Sequence, residues 1–228
     1  MNIENKGMDH SESLSVGISD KRRWFEIIAV IVSGTGKFVF MDWLNWRFFY
    51  ITIVCLFWGI YVYFRYKQNK KILTYWGFTG SNLSSTFSLV LPFGIIALSA
   101  FWVIGFLQNS LMVTWHILPL LILYPIWGTI QQFLIIGLVA GNLQDMEGLR
   151  LHKIAIVGIT ALVFAMVHYP FWYLIGGTGL LAVFYSIVYL RIKNLYVLGV
   201  FHGWLGAFFF YTVLERDPYI EVFGKFFE

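Results

Sequence analysis

Long apolar runs separated by short polar stretches dominate the chain. In order, they cover residues 24–40, 46–64, 83–107, 111–141, 154–168, 180–192 and 195–214. Most of these runs approach the roughly 20 residues that a helix needs to cross a bilayer core. Glu26 and Lys37 interrupt the first run, so that it either spans the membrane or lies in its interface. The pattern predicts an all-α, polytopic membrane helical bundle of about seven spans, with a single transmembrane domain over residues 24–214.

Two features refine this pattern of helices. The run over 111–141 is too long for one straight span, because 31 residues would extend about 46 Å across a core of about 30 Å. Pro119 and Pro125 predict that it breaks or tilts. The aromatic residues 75–78 predict an anchor at the membrane interface. The glycine-rich stretch 176–179 predicts a turn on the outer side.

Charged residues lie mainly between the apolar runs and indicate an orientation in the membrane. Basic or polar loops occur at 65–71, 141–153 and 191–194. The positive-inside rule places these loops in the cytoplasm. Residues 1–23 are predicted to be a flexible cytoplasmic tail, and 215–228 a polar tail on the outer side. The sequence therefore predicts a multi-pass protein of the cell (inner) membrane, with its N-terminus in the cytoplasm.

Composition narrows the class of protein further. Of the 228 residues, 59% are hydrophobic and only 12% are charged, whereas soluble domains have about a quarter charged residues. The formal net charge of +4 is explained by the placement of basic residues in loops, so nucleic-acid binding is not expected. Cys55 is the only cysteine, which excludes an intrachain disulfide and a cysteine cluster for zinc.

A few polar side chains lie inside the apolar runs, where they are costly unless another segment satisfies them. These are Gln131, Gln132, His168 and His202. Counted along ideal helices from the predicted cytoplasmic ends, Gln131, His168 and His202 lie roughly 15, 21 and 11 Å deep. We therefore predict that these three side chains meet around one polar cavity. They form either a functional centre or an interhelical hydrogen-bond clasp.

Three short motifs carry a resemblance to a known family. They are Gln131-Gln132-Phe133-Leu134-Ile135-Ile136, Phe164-Ala165-Met166-Val167-His168 and His202-Gly203-Trp204-Leu205-Gly206. The second resembles Phe-x-x-x-His, and the third resembles His-x-x-x-Asn/Asp with glycine in the last position. The first occupies the place of Glu-Glu-x-x-x-Arg. Their order and spacing, over about residues 120–210, are similar to those of the CAAX prenyl protease and bacteriocin-processing or bacteriocin-immunity family (CPBP, or abortive-infection, family).

The resemblance implies a CAAX-protease-like fold and a glutamate-dependent intramembrane endopeptidase. In that family the first glutamate activates a water and the second pairs with the arginine. The histidines and the asparagine bind the water and the oxyanion. Carried over to this chain, Gln131 replaces the catalytic glutamate, Gln132 its neighbour, Ile136 the arginine and Gly206 the asparagine. The implied site is therefore a degenerate one that consists of Gln131, Gln132, His168 and His202, with Phe164 and Gly206 completing the motifs.

These replacements predict weak, altered or absent proteolysis. An amide is not a useful base near neutral pH, and general-base assistance contributes about 10²–10⁴-fold to a rate. His168 or His202 could replace the base in an endopeptidase that acts on a membrane-anchored peptide. Alternatively, the protein is a pseudoprotease that binds peptide or lipidated segments, in bacteriocin immunity or as the partner of another membrane protein. No cofactor is predicted, because two histidines and two amides are a poor ligand set for zinc.

Overall fold

The computed structural model of this protein describes residues 17–224, which form α-helices and two π-helical segments without any strand. The α-helices are α1 (Asp20–Lys37), α2 (Arg47–Gln68), α3 (Ile72–Tyr75), α4 (Leu83–Gln108), α5 (Ile117–Gln132), α6 (Gly141–Asp145), α7 (Lys153–Met166), α8 (Trp172–Tyr189), α9 (Leu195–Thr212) and α10 (Pro218–Phe223). The π-helical segments are Phe38–Trp43, which extends α1, and Phe133–Ala140, which joins α5 to α6. This architecture confirms the predicted all-α, polytopic bundle.

Six continuous helical segments within this range are long and apolar enough to cross a membrane. They are Asp20–Trp43, Arg47–Gln68, Leu83–Gln108, Ile117–Asp145, Trp172–Tyr189 and Leu195–Thr212. The first of them includes the run around Glu26 and Lys37, which is therefore long enough to be a span. The remaining predicted span is the shorter apolar helix α7, whose 14 residues extend about 21 Å. The chain is thus a multi-pass membrane protein.

The N-terminal boundary of the bundle differs from the prediction. Residues 1–16 of the predicted tail lie outside the described residues, but residues 20–23 belong to the first turn of α1. The carboxylate of Asp20 accepts hydrogen bonds from the backbone N–H groups of Glu147, at 3.2 Å, and Gly148, at 2.7 Å. An acidic side chain is also favourable in the first turn of a helix. The helix therefore begins before the apolar run does.

The predicted outer turn at 176–179 is wrong. These residues lie inside α8, and the chain reverses direction earlier, around Tyr169 and Pro170. Thr178 Oγ1 donates to the backbone carbonyl of Leu174 at 2.6 Å, one helical turn away. Glycines tolerated inside an apolar membrane helix do not mark a turn as they do in a soluble protein.

The helices alternate in direction between two ends of the bundle, which we call the basic end and the α10 end. The basic end contains the start of α1 and the loops 65–71, 141–153 and 191–194. Hydrogen bonds link the start of α1, the segments 141–153 and 191–194, and Tyr75 of α3. Asp145 accepts hydrogen bonds from Tyr75 Oη at 2.7 Å and from Lys193 Nζ at 3.1 Å. The structure places these segments at one end of the bundle; the side of the membrane that this end faces stays a prediction.

A buried polar cluster ties α1 to the basic end. Glu26 is 1% exposed, and its carboxylate accepts hydrogen bonds from Tyr61 Oη and from Asn142 Nδ2, the latter at 2.6 Å. Arg23 donates to Asn142 Oδ1 at 3.3 Å and to Tyr75 Oη at 2.6 Å. These bonds satisfy a carboxylate and a guanidinium that would otherwise be costly to bury. The polar residues that interrupt the first apolar run therefore fix this helix in place.

The aromatic residues 75–78 are not an interfacial anchor. Trp76 is 1% exposed, and its ring lies 5.0 Å from that of Phe133 in the core. The chain turns inward at Gly77, whose φ of 94° suits glycine, and the Gly77 carbonyl accepts from the backbone N–H of Leu195 at 2.9 Å. This segment therefore packs into the core at the basic end of the bundle.

Helices α5 and α9 approach each other through glycines. A Cβ at Gly199 would lie 2.2 Å from Thr129 Oγ1, and one at Gly203 would lie 2.4 Å from the backbone nitrogen of Pro125. Gly128, on α5, faces Gly199 and Gly203 in the same way. The four-residue spacing of Gly199 and Gly203 is the small-x-x-x-small pattern that lets membrane helices make backbone contact. This crossing sets the position of every side chain on the two helices.

We expect Gly199→Ala and Gly203→Ala each to lower the free energy of unfolding by about 1–3 kcal/mol, because the added methyl group overpacks the crossing. Unfolding in mixed micelles with increasing denaturing detergent measures this change. Gly158→Ala is the matched control, since no atom lies within 4 Å of its added Cβ. An equal effect at all three positions would contradict the close crossing.

The cluster around Glu26 generates a second expectation. Asn142→Ala removes the donor to Glu26 Oε2 and should destabilise the protein by about 1–3 kcal/mol, because a buried acceptor then loses its partner. The same unfolding experiment in denaturing detergent measures this loss of stability. Glu147→Ala, in the same loop but with an exposed side chain, should have little effect. A neutral Asn142→Ala variant would show that the cluster does not hold α1.

Candidate functional site

The three predicted side chains line one cavity of about 470 Å³. Gln131 comes from α5, His168 follows α7 and His202 lies in α9. Phe164 and Gly206, which complete the motifs, line it as well. The structure therefore brings together Gln131 and His202, which are 71 positions apart in the chain. Spacing along the helices was sufficient to predict this convergence.

A direct hydrogen bond joins two of these side chains. His202 Nε2 lies 2.9 Å from Gln131 Oε1, to which it donates. A neutral imidazole carries one proton, so the other nitrogen, Nδ1, is left as an acceptor. Nδ1 is buried and has no hydrogen-bond partner within residues 17–224. The close approach of α5 and α9 at their glycines brings His202 within hydrogen-bond distance of the Gln131 side-chain amide.

His168 is oriented by the end of its own helix. Its Nδ1 donates to the backbone carbonyl of Phe164 at 2.8 Å, which leaves Nε2 as the acceptor. The Phe164 ring contacts both imidazoles, with centroid distances of 5.0 Å to His168 and 5.5 Å to His202. The site thus offers two acceptor nitrogens and one amide. Across the described residues, no three His, Cys, Asp or Glu side chains are grouped to hold a metal ion.

The structure separates Gln132 from the rest of the predicted site. Its side chain is 1% exposed and does not line the cavity, and neither of its polar atoms has a partner in the described part of the chain. Ile136, at the position of the family's arginine, is fully buried in the core. By contrast, a Cβ at Gly206 would meet only Tyr124, at 3.7 Å, so there is room at the position of the family's asparagine.

Much of the remaining wall of the cavity is apolar. On one side it includes Ile51, Val54 and Cys55 of α2, and on the other Leu123 and Ile126 of α5. Leu123 is 41% exposed and Ile126 57% exposed. Helix α2 packs on the π-helical segment after α1, on α3 and on α10, whereas α5 packs mainly on α9. The cavity therefore has an apolar side formed by α2 and α5, both of which belong to segments long and apolar enough to span a membrane.

Charged groups surround the cavity at the α10 end, and sequence analysis missed them. Lys37 Nζ pairs with Asp42 at 2.9 Å. Arg47 and Arg216 both pair with Glu221 of α10, at 2.8 and 2.5 Å. All five side chains line the cavity. The Asp217-Pro218 pair is a helix-start signal that could have predicted α10 within the supposed polar tail.

Asp217 fastens α10 to the bundle. Its carboxylate accepts from Thr114 Oγ1 at 3.0 Å, from Tyr211 Oη at 2.9 Å and from His116 Nδ1 at 2.7 Å. It also caps α10 through the backbone N–H of Tyr219 at 3.0 Å. Partial burial raises the pKa of Asp217, but these hydrogen bonds outweigh burial and leave its pKa below the ordinary value.

We expect Asp217→Ala to destabilise the attachment of α10 by about 0.5–2 kcal/mol, as for the loss of a helix N-cap. Because the pKa is lowered on folding, this contribution should be complete above the ordinary aspartate pKa of about 3.9 and lost as the pH falls through the lower folded value. Thermal unfolding at several pH values measures the difference in stability between the wild type and the variant. Glu215→Gln, an exposed neighbour, is the control.

No family model, curated protein or solved structure matches this chain. The resemblance to the CAAX prenyl protease family therefore rests on the three motifs and on where their residues lie. Of these residues, Gln131, Phe164, His168, His202 and Gly206 share the cavity, and Gln132 does not.

Proposed function

We propose that this protein is a CAAX-protease-like pseudoprotease that binds a membrane-anchored or lipidated peptide segment in its cavity. The observation that carries the proposal is the hydrogen bond between Gln131 and His202 inside a mostly apolar cavity. An amide occupies the position where the family would require a carboxylate. Binding is retained in this proposal, while efficient cleavage is lost.

The chemistry of the cavity argues against efficient hydrolysis. The Gln131 amide cannot accept a proton from water near neutral pH. The two carboxylates that line the cavity, Asp42 and Glu221, are already paired with Lys37 and with the two arginines. The hydrolytic step therefore has no free carboxylate base among the lining residues that the structure describes.

The same cavity is suited to binding. Its volume of about 470 Å³ lies within the range of ligand pockets, about 300–1,000 Å³. A ligand already in the membrane can enter between α2 and α5 without crossing water. Inside, the acceptor nitrogen of His168, Nε2, can receive an N–H group of a peptide. Peptide N–H groups need such acceptors in an apolar site.

A weak intramembrane endopeptidase is the second candidate, and His168 favours it. The hydrogen bond from its Nδ1 to the Phe164 carbonyl leaves Nε2 without a proton. Histidine titrates near neutral pH and is the commonest general base. In this alternative, His168 or His202 accepts the proton of the attacking water and the other histidine contributes to orientation.

We further propose a location and partners for the protein. Eleven of the sixteen lysines and arginines lie between 21 and 23, 65 and 71, 150 and 153, or 191 and 193, all at the basic end. By the positive-inside rule this end faces the cytoplasm of a cell (inner) membrane. Its partners are then lipidated or membrane-anchored peptides, or another membrane protein, as in bacteriocin immunity.

Cys55 makes the binding proposal testable without engineering, because it lines the cavity and is the only cysteine. With purified protein in lipid nanodiscs, we expect acylated or prenylated peptides to slow alkylation of Cys55 by N-ethylmaleimide. The same peptides without the lipid are the control. Alkylation rates that no lipidated or membrane-anchored peptide changes would contradict the proposal.

Mass spectrometry of the same peptides separates the two candidates. A pseudoprotease leaves them intact, and His168→Ala or His202→Ala then changes only binding or stability. A histidine-dependent protease cleaves them, and each of those substitutions abolishes cleavage, while Gln131→Ala costs less than about tenfold. Cleavage that persists when both histidines are replaced by alanine would contradict both candidates.

A further inference from the structure

Two arginines converge on one carboxylate at the α10 end of the cavity. Arg216 donates to Glu221 through Nε, at 2.5 Å, and through Nη2, at 2.7 Å. Arg47 donates to the same carboxylate through Nη1, at 2.8 Å. The three residues come from the start of α2, the segment after α9 and α10. Three elements thus assemble a binding place for one anionic group.

This arginine pair has capacity left for an anion. Arg47 Nε and Arg216 Nη1 are buried and have no hydrogen-bond partner within residues 17–224. The Arg216 guanidinium is held between two aromatic rings, 4.7 Å from Phe171 and 5.1 Å from Phe210. The charged residues that line the cavity are three cations and two anions, a net charge of +1. An added anion is therefore favoured electrostatically.

The space that adjoins the arginine pair is apolar. Side chains of Ile51, Val54, Leu123 and Ile126 line it, and the last two are also exposed at the surface. A hydrocarbon chain needs no hydrogen bonds and matches this lining.

We infer that the arginine pair is the head-group site for an anionic lipid with a single hydrocarbon chain. The carboxylate or phosphate head lies between Arg47 and Arg216, and the chain lies between α2 and α5. Glu221 occupies the place of the head group in this structure, so that α10 acts as an internal competitor. The inference rests on the proposed function only in using the same cavity, and it does not require the Gln131–His202 end.

A competition experiment tests this head-group site. Purified protein in detergent is photolabelled with a diazirine analogue of palmitic acid, and labelled peptides are quantified by mass spectrometry. We expect unlabelled palmitate and lysophosphatidic acid to compete, and hexadecanol, which has the same chain without the charge, to compete at least about tenfold more weakly. Labelling should map to α2 and α5.

Substitutions at the three residues give opposite effects. Arg216→Gln and Arg47→Gln should each weaken palmitate binding about tenfold, the usual scale for losing one charge-assisted hydrogen bond. Glu221→Gln should strengthen it several-fold, because the competing charge is removed while the size of the side chain is kept. Binding of hexadecanol should not change. Lys67→Gln, which removes an exposed cation at the other end of α2, is the matched control.

The outcomes are distinct. Equal competition by palmitate and hexadecanol, or unchanged palmitate binding in Glu221→Gln, would overturn the head-group site. The proposed function is judged separately, by peptide protection of Cys55. Thermal unfolding of each variant identifies loss of folding, and Glu221→Gln provides a gain of binding that a misfolded protein cannot give.

Discussion

The close contact between α5 and α9 is the constraint on which the rest of this structure depends. Gly128, Gly199 and Gly203 remove the side chains that would keep the two backbones apart. Because lipid provides no hydrophobic drive for helix association, such packing must come from van der Waals contact and hydrogen bonds. With the backbones this near, His202 reaches Gln131, and α5 and α9 form one continuous wall of the cavity.

Hydrogen bonds between helices reduce the free-energy cost of burying polar groups in this bundle. At the basic end, the Glu26 carboxylate accepts hydrogen bonds from Tyr61 and Asn142 and so connects α1 to α2 and α6. At the α10 end, Asp217 connects three separate segments. Between these ends, the hydrogen bond from His202 to Gln131 pairs two further polar side chains. Each polar cluster links helices that contribute to the cavity, so burial of polar groups and formation of the site are coupled.

Under the proposed function, an amide takes the place of the catalytic carboxylate of a CAAX-protease-like site. Two oriented imidazoles and an adjacent amide line the cavity. Replacing a carboxylate by an amide keeps nearly the same shape but removes both charge and basicity. The buried Ile136 is consistent with this change, because an arginine there would have no acid to pair with and its burial would be costly. Binding and catalysis can thus be separated by very few atoms.

Hydrophobic periodicity by itself determined the all-α bundle, most of the spans, the grouping of the basic loops and the convergence of Gln131, His168 and His202. These follow from helix length and rise, which are local properties. The tertiary structure decided what local pattern does not encode. It turned Gln132 away from the cavity, folded Trp76 into the core, and docked α10 so that Arg47, Arg216 and Glu221 meet. The physical reason is that side-chain direction, and contacts between residues distant in the chain, are set only when the helices pack.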